Sequence, residues 1–495
     1  MPVQKLKRRQ IIGFFIAILV ASFFLNSPLT FVAVFIGVLA ICCPAEALGT
    51  LATYAFLLNQ HKIALKLCNL GLKLDREDPY CLTTKSAALI NLKQFQEAED
   101  MAVLAVPSNL HEPVQNLWAA LYSQGRSEEA LKYANRLIEM KPKLWAGYYA
   151  RALSCTHLAL NKYHDQILED EKKVRELAPN SDRSYCLQSV VNLNLSKIDE
   201  SIENGHRAIK KNPKFEDYKI LLANAYLHKY DLDKCTEILE SMSKKKKLDL
   251  FSIHLRALIF LAQDMPQAAL RDLESLEQEH MKHPSMAYSS GIALNMMNEL
   301  QAAYELGQFL TEEFRESSLG YILKGHIYQK SHEYEKSMEV YEEVISLNRF
   351  QSSSFWGLAL AQYHLGMHEE AKTNCEKALS LNKYDHIAAR VKSLCFTEMN
   401  QLEEAAKWMD YADEIYCNDG FSWYSNGILA NAKNEPERAL DQFSQAISLN
   451  PFESDSYRER AKLRASMNHT KEADEDRKKE FAIEEKIKAE KQKFA

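Results

Sequence analysis

Residues 420–453 read GFSWYSNGILANAKNEPERALDQFSQAISLNPFE. Trp423, Ile428 and Leu429 fall at helical spacing before a break, and Ala439, Leu440, Phe443, Ala446 and Ile447 fall at helical spacing after it. The break, Asn434-Glu435-Pro436-Glu437, carries the chemistry of a helix start: Asn as the expected cap, Pro in the first turn, and acids near the positive end of the dipole. Asn450-Pro451 stops the second run. The stretch predicts two helices joined by a short turn, a unit of 34 residues.

Outward from this stretch the same unit recurs. Ala371, Ala405, Ala439 and Ala473 are spaced by 34, as are Ala378, Ala412 and Ala446. Gly291, Gly325, Ala359, Ser393, Gly427 and Ala461 keep a second small-residue phase, and Tyr321, Phe355, Trp423 and Tyr457 an aromatic one. Small side chains held in two phases are what close packing of neighbouring helices demands. A fixed period of this length is the mark of a solenoid.

The order of aromatic, small residue, Ala, aromatic, Ala and Pro resembles the tetratricopeptide repeat. The frame holds over nine units beginning at 182, 216, 250, 284, 318, 352, 386, 420 and 454. Upstream, slipped units begin at 45, 79, 111 and 145, with three extra residues around Leu160–Asp165. The resemblance implies an all-α, right-handed superhelical solenoid of about thirteen hairpins over 45–487, degenerate over 45–181 and in frame over 182–487. Arg477 stands where an aromatic is expected, and the last helix runs on through the polar tail 488–495. That charged end predicts a solvated cap for the solenoid, with a docking element as the alternative.

Residues 11–43 contain no charge and are interrupted only by Asn26-Ser27-Pro28. Each 15-residue half would span about 22 Å as helix, against a hydrocarbon core of about 30 Å. Two geometries fit: a hairpin of two short apolar helices, or one kinked span. The basic amino terminus 1–10, with Lys5, Lys7, Arg8 and Arg9, predicts a cytoplasmic start. The expectation is an integral membrane anchor that contacts lipid, with the repeats on the cytoplasmic side if the segment is a hairpin. The cysteines form no C-x-x-C pair, which suits reduced thiols.

Composition and motifs point away from chemistry. The chain carries net −6, and its first 43 residues are basic, so the body is acidic and unsuited to nucleic acid. There is no phosphate-binding glycine loop and no H-E-x-x-H. His280 and His283 flank a unit boundary, and Lys244–Lys247 forms a basic run at a turn; solvated loops are the plainer reading of both. We therefore expect no catalytic, cofactor or metal site, and a protein rather than a small molecule as partner.

The family resemblance implies a concave groove lined by the first helix of each unit. Its fifth position reads Cys186, Ile220, His254, Tyr288, Ile322, Trp356, Arg390, Tyr424 and Arg458, an apolar and aromatic stripe without a repeating cation. Tyr288, Trp356 and Tyr424, with Ile292, Leu360 and Ile428 one turn on, are the candidate protein-binding residues. Packing between neighbouring helices is the alternative role for the same six. Scaffold or adaptor is the leading functional expectation, a chaperone or targeting receptor for apolar segments the second, and an enzyme accessory subunit the third.

Overall fold

The computed structural model describes residues 44–243, 248–276 and 282–494. The apolar run with Cys42 and Cys43, the lysine run Lys244–Lys247, and His280 lie outside the described residues. Two compact units divide the chain after Ala150. Among the described residues all regular structure is helical, and the helices pair as thirteen hairpins from Pro44–Leu57 with His61–Leu74 to Ser454–Ser466 with Thr470–Phe494.

The two small-residue phases pack as their spacing requires. Ala371, Ala405, Ala439 and Ala473 are completely buried. A Cβ on Gly427 would lie 2.6 Å from the Phe443 ring, and one on Gly325 or Gly357 would strike the Tyr341 ring from either side. The ring therefore fills the space that a missing methyl leaves, and substitution by Ala would force the helices apart. The three residues inserted near Leu160 are absorbed as extra helix: Leu160–Leu177 has 18 residues where Pro436–Leu449 has 14.

One local expectation is corrected. Asn434 does not cap the helix that follows; Glu435 holds that place. Asn434 sits with φ +61 in the left-handed region, reversing the chain between the two helices. Ser196, Tyr230, Asp264, Asn298, His332, Asn400 and Asn468 occupy the same phase with φ between 56 and 65, and Gly366 does so at 77. Gly, Asn, Asp and His are the residues found most readily in this backbone; Tyr is costly there, by about 1–2 kcal/mol.

Five residues of this turn phase make the contacts between successive turns of the second unit. Ser196 Oγ donates to Phe350 O at 2.7 Å. Tyr230 packs edge-on against His386, centroids 4.1 Å apart, and lies beside Tyr416. Asp264 Oδ2 accepts from Gly420 N at 2.5 Å. Asn298 Nδ2 donates to Phe452 O at 2.9 Å, and His332 Nε2 lies 3.0 Å from Glu484. Each rung joins the turn inside one hairpin to a segment about 154 residues later, about four and a half units along. Beyond the last coil, Gly366, Asn400, Asn434 and Asn468 are the residues that tolerate the conformation unaided.

The terminal helix is exposed along most of its length, as a cap requires, and it also docks, through the buried Ala473, Asp476, Ile487 and Glu490. Glu490 accepts from Gln301 N at 3.0 Å, Lys486 pairs with Glu299 at 2.6 Å, and Phe494 stacks on Tyr304.

Two substitutions separate backbone cost from docking gain. Asn434→Tyr should destabilise by about 1 kcal/mol, because the left-handed strain arrives with no partner. Tyr230→Asn should relieve strain yet still destabilise by at least about 1 kcal/mol through loss of the ring contacts. Denaturant titration of both variants measures the difference; a more stable Tyr230→Asn would show the rung to be idle.

Candidate protein-binding surface

The six candidate residues stand in pairs one turn apart on three first helices. All six are half-buried, each with one side against a core cluster. Tyr288 and Ile292 pack on the cluster of Ala287, Ala303 and Leu323. Trp356 rests on Phe355, Ala378 and Ala388, and Leu360 on Val391 and Cys395. Tyr424 and Ile428 pack on Phe443 and Leu463, with Tyr424 6.1 Å from the Phe443 ring. Each of the six thus packs on the core with part of its surface left exposed.

The stripe is not continuous. Ile322 and Arg390, which share its phase, are fully buried. Arg390 turns away to bind Asp413 at 2.6 Å and Tyr416 O at 2.7 Å. It anchors the loop against which Tyr230 docks. Trp356 is joined instead to His326, 5.6 Å between rings, and His326 Nδ1 lies 3.2 Å from the Tyr341 hydroxyl. His254 reaches Ser289 Oγ at 2.9 Å. His254, Tyr288, His326 and Trp356 stand on four successive first helices.

This stretch of the stripe is neutral. Desolvation holds His254 and His326 down at about 4 and raises the Tyr288 phenol. The rings keep partial contact with solvent, but protein on the surrounding coils withholds the hydration that a charge needs. His283, proposed by spacing beside His280, is a helix cap, its Nδ1 accepting from Ser285 N at 3.3 Å. Among the described residues no three His, Cys, Asp or Glu gather as a metal site. Cys235 and Cys375 are fully buried free thiols, as their phase requires.

The docking residues Tyr230, Asp264 and His332 escape a sequence reading that follows the helical periods and not the turn phase. Asp264 is shifted upward. Burial, with repulsion from Asp419 and Glu453, raises it to about 7, and the Gly420 N–H and Lys330 only partly offset this. His332 is raised and Glu484 lowered to about 2 by their mutual hydrogen bond.

Residues 320–351 and 352–385 match the tetratricopeptide repeat family model. None of the curated protein sequences matches the chain. Among solved structures it is similar to the crystal structure of the APC/C hetero-tetramer Cut9-Hcn1, with 12% identity over 90% of this chain and 88% of that one and a TM-score of 0.51. It also matches a thermophilic TPR protein of Thermus thermophilus, with 19% identity over 37% of this chain and 99% of that one and a TM-score of 0.32.

The titrations give opposite pH signs. His254 and His326 bind fewer protons folded than unfolded between about 4 and 6.5, so their contribution is present above that window and lost as pH falls through it. The melting temperature should therefore fall across this range, and His326→Gln should flatten the slope. Asp264 is raised, so its contribution is present at low pH and lost as pH rises from 3.8 towards 7. Asp264→Asn, which keeps an acceptor for Gly420, should raise the melting temperature by at least about 1 °C at pH 8 and change it little below pH 4.

Proposed function

We propose that this chain, whose matched segments are tetratricopeptide repeats, is a membrane-tethered scaffold that holds a protein partner on the inner face of its second unit. The observation that carries the reading is the neutral aromatic surface of His254, Tyr288, His326 and Trp356, half-open to solvent yet poor in hydration. Large rings immobilised by their own core contacts lose little entropy on binding, which is why such residues dominate interface energetics. The similar solved structure is that of a hetero-tetramer, a precedent for this fold within an assembly. No catalytic role is assigned to any residue, and the partner is a peptide or helix with apolar anchors.

The tether is residues 11–43, an uncharged run behind a basic amino terminus. Among the described residues no helix is long and apolar enough to cross a membrane, so this run alone carries the assignment. With a hairpin, the repeats face the cytoplasm. Protease added outside intact cells should then leave the repeats uncut.

Affinity purification of the full chain from detergent tests the scaffold. One stoichiometric partner supports it; a broad set of clients would favour a chaperone instead. Trp356→Ala should reduce capture by about 2 kcal/mol, roughly thirtyfold in affinity, while its half-buried ring makes the stability loss smaller than that of a core aromatic. A loss of about 3–5 kcal/mol in stability with binding intact would assign Trp356 to the core alone.

A further inference from the structure

The first two hairpins differ from the rest of the chain on their outer side. Among the described residues, nine of the twelve large apolar side chains left exposed lie between Tyr54 and Leu104. They cluster on the turn and second helix of the first hairpin, where Leu57, Leu58, Leu70 and Leu74 are each more than half exposed.

Helix His61–Leu74, HKIALKLCNLGLKL, explains the arrangement. Ala64, Cys68 and Gly71 are buried against its neighbours. On the opposite side, at about 100° per residue, Lys62, Lys66 and Lys73 fall within about 40° of one another. Ile63, Leu70 and Leu74 form a second row of the same width directly beside the lysines. The helix contains no acid. Six residues beyond the small position of the second helix stand Leu70 and Leu104 in the first two hairpins, but Lys377, Tyr411 and Gln445 in later ones. Thus the frame is retained while its outer face changes character.

We infer that the outer face of helix His61–Leu74 lies on an anionic lipid surface, its leucine row entering the acyl border and its lysine row meeting the headgroups. A row of lysines beside a row of leucines is the pattern of a helix lying in a membrane interface, and lysine stems reach past the apolar row to the phosphates. Two further observations select lipid over a protein. The 33-residue uncharged run ends at Cys43, immediately before Pro44, the first residue of the hairpin. Folding that run over the leucines would leave its own other side exposed and the lysines without counter-charge, whereas a bilayer accepts both. The inference rests on the membrane-tether reading and adds a second, separable contact to it.

Flotation with vesicles tests it on the full chain. Ile16→Lys with Val34→Lys breaks the apolar run without touching the hairpins. This variant should still float with vesicles holding about 30% phosphatidylserine, with roughly a hundredfold preference over pure phosphatidylcholine from three lysines. Added Leu70→Glu and Leu74→Glu should abolish flotation and leave the melting curve unchanged, since both positions are exposed. Failure of the run-broken variant to float, or flotation indifferent to the two glutamates, overturns the inference. So does a fall in oligomeric state caused by the glutamates without vesicles, which would show the face to be covered by a second copy. If instead the unaltered chain is stripped from vesicles by alkaline carbonate while the run-broken variant still floats at neutral pH, the tether reading fails and the surface contact stands.

Discussion

The second unit depends on contact between turns of chain that are about 154 residues apart. A hairpin of two short helices buries its apolar faces only against its neighbours, so a solenoid held by those interfaces alone is free to open or tighten. Here the turn inside each of five successive hairpins carries a residue that reaches the coil above: Ser196, Tyr230, Asp264, Asn298 and His332. Every one occupies the left-handed backbone that brings its side chain out of the helix pair. Tyr is a poor residue for that backbone, and local energy does not explain it; its ring contact with His386 does. His332 adds a charged contact with Glu484.

Burial also sets the chemistry of the first-helix stripe: histidines at two steps are held neutral far below their usual range, and the Tyr288 phenol is raised. Arg390 lies in the same phase and is not an exception: its guanidinium is spent on Asp413 and the Tyr416 carbonyl, which hold the loop that receives Tyr230. One phase of the repeat thus serves the candidate surface at Tyr288 and Trp356 and coil docking at Arg390.

The repeat is legible in the sequence because close helix packing leaves no alternative to small residues at two fixed positions, and Gly325 and Gly427 show how little space remains. The candidate residues are legible as a stripe but not as core and surface at once, because periodicity reports which side a residue faces and not how far the next coil stands from it. Coil docking is not legible from local pattern at all. Its partners are separated by more than four units, so no short-range spacing links them, and Asn434 reads as a cap because Asn serves both caps and left-handed turns. The turn phase does hold a signal. It runs Ser, Tyr, Asp, Asn, His and then Gly, Asn, Asn, Asn, and the change falls where the following coil ends.

The terminal helix follows from the same constraint. The rung that begins at His332 needs a partner about 154 residues on, where the regular pattern would supply the loop leading out of the last hairpin. Among the described residues no further hairpin follows, and the second helix continues instead for 25 residues. Its Glu484 stands 152 residues after His332, within two residues of the register kept by Ser196 with Phe350 and Asn298 with Phe452. The helix then runs on to place Glu490 on Gln301 N and Phe494 on Tyr304. A helix of ordinary length, with 14 residues from Thr470 as Pro436–Leu449 has from its own start, would stop at 483 and leave His332 without its carboxylate. The last helix therefore docks on the coil beside it as well as capping the stack, through Glu484, Lys486, Glu490 and Phe494.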